Sequence, residues 1–140
     1  MAFAPQYSGD PISASAVLST ANLNRDGVTG AVVTAYTFRA SGATGGKGGR
    51  IDTLTITAGT TGASVAGNVL MFINGTLIRE IAISSITPSA TVKGYIIPTL
   101  EGADVNGVLI VNQVCAAGDI IKFVVTTTQA LTARVVGGEF

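Results

Sequence analysis

The side chains that usually run chemistry are scarce in this chain. Its 140 residues include no histidine, so the commonest general base and metal ligand is missing. Neither a Ser-His-Asp nor a Cys-His arrangement can be assembled within it. Of the eight carboxylates, one close cluster stands out, Glu101-Gly102-Ala103-Asp104. A glycosidase needs two facing carboxylates about 5–9 Å apart, and hard oxygens on a loop can hold Ca²⁺. This spacing matches no EF-hand, and the segment reads as an exposed loop. The run Gly42-Ala43-Thr44-Gly45-Gly46-Lys47-Gly48-Gly49-Arg50 invites comparison with a phosphate-binding loop. It fails on Ser41 where glycine is needed and on Gly48 where Ser or Thr must follow the lysine. No helix follows to hold a phosphate at its N-terminus. The run reads as a flexible connection with a basic tip. The sequence therefore predicts no catalytic residue, no cofactor and no metal.

Other reactive positions have bland explanations. The single cysteine, Cys115, excludes an internal disulfide and a multi-cysteine metal site. Its surroundings, Val114-Cys115-Ala116-Ala117, suit a small buried apolar residue. Asn74-Gly75-Thr76 is formally a glycosylation acceptor, but a tight hairpin explains the same residues. Arg39, Arg79, Glu80 and Arg134 read as members of surface or interface ion pairs.

Composition points to assembly. Charged residues make up 11% of the chain, against about 25% in an ordinary soluble domain. Hydrophobic residues make up 47%, with a mean hydropathy of +0.54. No stretch approaches the roughly 20 apolar residues of a spanning helix, and the first residues lack the pattern of a signal peptide. Eight positive and eight negative residues cancel, so no field draws the chain to nucleic acid or to an anionic membrane. A surface with so little charge is best tolerated when much of it is hidden against other protein.

Residues 1–27 lack a sustained period and read as an extended N-terminal arm with at most one short strand. Such an arm cannot pack a core of its own and is expected to be either disordered or ordered by lying on a neighbour. Residues 28–140 read as one β domain. Thr, Val and Ile dominate, and turn residues separate eight candidate strands: 32–38, 50–58, 68–73, 76–83, 91–97, 108–113, 119–127 and 131–139. The firmest pair flanks Asn74-Gly75, which suits the two positive φ angles of a type I′ turn. Leu77, Ile81 and Ile83 are expected to share a face, with Arg79 the exception. In the strand at 119–127, Ile121, Phe123 and Val125 oppose Lys122, Val124 and Thr126. That second face is semi-apolar and suits burial between subunits. The fold class is all-β, a single-domain antiparallel β-sandwich, jelly-roll-like by its strand count.

The order of several segments resembles small β-sandwich structural proteins of tailed bacteriophages. These are Asn24-Arg25-Asp26-Gly27, Val32-Val33-Thr34-Ala35-Tyr36-Thr37, Gly49-Arg50-Ile51-Asp52, Leu70-Met71-Phe72-Ile73, Leu77-Ile78-Arg79-Glu80-Ile81, Ile86-Thr87-Pro88-Ser89-Ala90 and Val135-Val136-Gly137-Gly138-Glu139-Phe140. The resemblance covers roughly residues 20–140 and implies a virion protein, foremost a head decoration (cement) protein on the outer capsid surface. It implies the major capsid protein as partner and self-association, with a trimer expected. No catalytic residue comes with it. The expected partner-binding residues are Phe3, Tyr7, Ile12, Val17 and Leu18 of the arm, with Lys47 and Arg50 of the glycine-rich connection. A tail, fibre-knob or baseplate component is the alternative reading. A carbohydrate-binding module is another, and would use Tyr36 or Tyr95 as a stacking platform.

Overall fold

A computed structural model of the chain describes residues 10–59, 61–92, 94 and 107–140. Among these residues there are eight strands and no helix. The strands are β1 (Pro11–Leu18), β2 (Val33–Thr37), β3 (Gly49–Ala58), β4 (Gly67–Ile73), β5 (Thr76–Ile83), β6 (Val108–Cys115), β7 (Ile120–Val125) and β8 (Leu131–Glu139). Seven coincide with expected strands. The expected strand at 91–97 falls mostly outside the described residues, and Thr91 and Val92 form a bend.

Two four-stranded antiparallel sheets result. Sheet A has the order β1-β8-β3-β6 and sheet B the order β2-β7-β4-β5. The pairs β1–β8, β2–β7, β3–β6 and β4–β5 are those of one long antiparallel ribbon folded at the β4–β5 turn. Rolling that ribbon on itself brings β8 against β3 and β7 against β4. This is the jelly roll, with the eight strands split between two facing sheets.

The core follows from alternation. Ile12, Ala16 and Leu18 of β1, Leu54 and Ile56 of β3, Leu109 and Val111 of β6, and Ala133 and Val135 of β8 face inward from sheet A. Val69, Met71, Ile81, Ile83, Ile121, Phe123 and Val125 meet them from sheet B. β1 therefore belongs to the sandwich itself. The arm expected over residues 1–27 is corrected in its described part, because Pro11–Leu18 pairs with β8 along its whole length. Its short period was hidden by the small residues Ser13, Ala14, Ser15 and Ala16.

A bulge also changes one face assignment. β5 pairs Arg79 with Met71 but Leu77 with Phe72, leaving Ile78 as the extra residue. One extra residue reverses which side the following side chains take. Leu77 thus packs with Phe72 outside the sandwich, while Ile81 and Ile83 lie inside. Arg79 follows the inner set, and its Nη2 donates to the Val111 carbonyl of β6 at 3.4 Å. It bridges the two edge strands β5 and β6 at the open side of the roll. The β4–β5 turn stands where Asn74-Gly75 placed it, with Asn74 at φ 56°. Gly75 does not share the left-handed conformation, so the tip is not type I′. Asn74 is held instead by β7, accepting from the Ile120 N–H at 3.1 Å and donating to Asp119 at 3.2 Å.

Candidate interaction surface

The two outer faces of the sandwich are treated differently. On sheet B, Leu70, Phe72 and Val124 point away from the main core yet are fully buried, with Val32 and Leu77 packed on them. The connection from β1 to β2, residues 19–32, covers them. Its backbone joins β7 where the Asn22 N–H donates to the Val125 carbonyl at 2.8 Å. Asn22 is itself buried, donating through Nδ2 to the Thr29 carbonyl and accepting from the Asn24 N–H. Asp26 knits the turn by accepting from the N–H groups of Val28 and Thr29, both at 2.9 Å, and from the Thr29 hydroxyl at 2.7 Å. These donors, Thr29 N–H foremost, hold its carboxyl down at about 2. Arg25 makes a two-pronged ion pair with Glu80 of β5, which also accepts from Asn68 of β4.

Gly27 completes the cover. Its φ of +66° is left-handed, and a Cβ there would lie 2.8 Å from Cγ and Cδ1 of Phe72. Only glycine lets the backbone rest on that ring. The face carrying Lys122 and Val124, expected to be buried between subunits, is therefore covered by the chain's own residues. The signal was present in Asn24-Arg25-Asp26-Gly27, but a turn motif does not say which sheet it lies on.

Sheet A carries no such cover among the described residues. The strand register lays out its outer face in rows. Ser13, Val136, Thr53 and Ile110 form one, and Ser15, Arg134, Thr55 and Val108 the next. Val17, Thr132 and Thr57 form a third. Pro11, Gly138, Arg50 and Val114 close the opposite end. Val17 and Val114 are 64% and 63% exposed, and Ile110 and Val136 also reach solvent. Charge on this face is limited to the Arg50–Asp52 pair, at 2.6 Å, and Arg134. Arg134 donates to the Ser13 hydroxyl at 2.6 and 3.2 Å and meets no carboxylate among the described residues.

The residues expected to bind a partner separate accordingly. Val17 and Arg50 both stand on the outer face of sheet A, at opposite ends, and Lys47 is exposed in the β2–β3 connection. Ile12 and Leu18 are corrected: both are core residues, because β1 turns alternate side chains inward. Phe3 and Tyr7 lie outside the described residues. The glycine-rich connection is less loose than expected. Ala43, Gly46 and Lys47 donate to nearby carbonyls, Arg39 donates to Thr44, and Gly48 and Gly49 are buried. A Cβ on Gly49 would come within 2.2 Å of the Gly138 carbonyl oxygen.

One polar cluster closes the end of the sandwich beside that connection. Glu139 is 1% exposed, and its Oε1 accepts from the Tyr36 hydroxyl and the Arg39 N–H, both at 3.0 Å. Its Oε2 has no hydrogen-bond donor among the described residues and is compensated by Arg39 Nε at 3.1 Å. Arg39 also pairs with Asp10 at the entry to β1. Burial, then the hydrogen bond and charge of Glu139, push the Tyr36 hydroxyl above its ordinary value. Tyr36 is half-buried, and its ring meets Phe38 edge-on, with centroids 5.2 Å apart. It is built into the domain end and does not present a free stacking platform. Tyr95 lies outside the described residues.

Comparison with family models, with curated proteins and with solved structures finds no match for this chain.

Proposed function

We propose that this chain is a virion structural protein, a decoration (cement) protein that binds the outside of a phage head and clamps neighbouring major capsid subunits. It acts through protein–protein contact, with a homo-oligomer, three copies in the expected form, as the bound unit. The observation that carries this reading is the outer face of sheet A, over which the described residues lay no covering segment. It is a broad pleated surface of Ser, Thr, Val and Ile with a single unpaired charge among its described residues. Neighbouring subunits of a shell offer large surfaces of comparable flatness, and a charge-poor face loses little hydration on docking there. The jelly roll itself is shared by viral capsid domains and lectins, so the fold lends the reading only a background.

Particles of the virus that encodes the chain provide the test. Quantitative mass spectrometry should find it in copy numbers comparable with the major capsid protein, and immunogold labelling should decorate the head. Label confined to the tail tip would replace this reading with the tail, fibre-knob or baseplate one. Absence from purified particles would end both.

A further inference from the structure

The two most exposed large aliphatic residues among those described, Leu23 and Val28 at 78% and 68%, stand on either side of Asp26 in the cover of sheet B. Asp26 is exposed and meets no cation within ion-pair distance among the described residues. On the opposite side of the sandwich, Arg134 stands on the face of sheet A beside Val136 and near Val17, with no carboxylate partner among the described residues. Each patch thus combines exposed aliphatic surface with one charge that makes no ion pair with a described residue, and the charges are opposite. We propose that the two patches bind each other between copies of this chain, Asp26 against Arg134, and Leu23 and Val28 against Val17 and Val136.

Such a contact is heterologous, the kind that builds rings or rows of subunits and not a two-fold dimer. Size is compatible. Four strands about 4.8 Å apart and about eight residues long give the face roughly 500 Å² in projection. The accessible area of a pleated surface is larger, which brings it into the range of the ~800 Å² per partner of specific interfaces. A two-fold contact of face on face would instead set Arg134 beside its own copy, a like-charge arrangement that interfaces avoid. The contact occupies the same outer face of sheet A that the capsid reading uses, so it concerns free copies of the chain in solution, and its failure leaves that reading untouched.

Sedimentation velocity of the full chain tests it with two variants. Arg134→Glu disables the sheet A face by placing a second acid opposite Asp26. Leu23→Asn with Val28→Asn disables the cover by removing its aliphatic contact, and leaves Asp26 to organise its turn. All three positions are exposed, and far-UV circular dichroism checks that both variants stay folded. The wild-type mass should rise above 14.0 kDa with concentration. Each variant alone should associate at least about tenfold more weakly, as expected when a facing charge pair or its apolar surround is lost. An equimolar mixture should recover a two-chain species, because each variant supplies the patch the other lacks. A wild-type chain that stays at one-chain mass up to about 1 mM overturns the proposal. So does full association of either variant alone, or a mixture no heavier than its components.

Discussion

Alanine at Gly27 should cost the wild-type chain far more than it costs a chain already carrying Phe72→Ala. At φ +66° an L-residue is disfavoured, by about 1–2 kcal/mol for the left-handed conformation. The added Cβ also arrives 2.8 Å from two carbons of the Phe72 ring. That ring is fully buried between β4 and the covering segment, where close packing resists its displacement. Overpacking of this kind adds about 1–3 kcal/mol. Gly27→Ala should therefore destabilise the chain by about 2–5 kcal/mol in total. Phe72→Ala alone should cost about 3–5 kcal/mol, the usual loss for a buried aromatic. In the double variant the clash is gone and only the backbone cost remains. The two substitutions should then be less than additive by about 1–3 kcal/mol. Equilibrium urea unfolding of the four chains measures all three numbers. Additivity within about 0.5 kcal/mol would refute the reasoning, since residues 19–32 would then not rest on sheet B.

Two further outcomes follow from titrating groups. The carboxyls of Asp26 and Glu80 are both held low, the first by backbone donors led by Thr29 and the second by its bond to Arg25. A depressed folded-state value stabilises the fold above the unfolded carboxyl range near pH 4 and loses that stabilisation as pH falls toward about 2. Asp26→Asn should flatten the acid limb of stability against pH, and an unchanged limb would remove Asp26 from the account. Cys115 is buried, and burial together with the charge of Asp119 pushes its thiol up to about 11. Iodoacetamide at pH 8 should label it only as the chain unfolds. Labelling at the rate of free glutathione would show that the β6 end is open.

The seven expected strands that the structure contains were legible because β-branched residues alternate or cluster between strong turn signals. Asn74-Gly75, the glycine at 107 and Ala117-Gly118-Asp119 all mark real strand ends. β1 was not legible as a core strand. Its inward set is Ile12, Ala14, Ala16 and Leu18, and two alanines carry too little hydrophobic signal to outweigh the serines between them. The face of β5 was misread for another reason. A bulge leaves no mark in a hydropathy pattern, and Leu77 and Ile81 are in phase along the sequence although the pairing skips Ile78. Arg134 could be recognised as a surface cation, but its lack of a carboxylate among the described residues depends on which residues flank it across strands.

The scarcity of charge acquires two separate causes. Part of the apolar surplus is absorbed inside the chain, where Leu70, Phe72 and Val124 form a second small core beneath residues 19–32. That share of the apolar surplus is not available for contacts between subunits. The rest is on sheet A, where the charge-poor face is rich in hydroxyls: Ser13, Ser15, Thr53, Thr55, Thr57 and Thr132 alternate with core residues along their strands. Hydroxyls bind water without a net charge and give it up at smaller cost than ions do. The neighbouring edge is not left as an open template, since Asn112 bulges β6 at φ 48° and Arg79 engages the Val111 carbonyl. Sheet A can therefore stay hydrated in the free chain and still dock through its face, while strand-to-strand pairing along β6 is disfavoured.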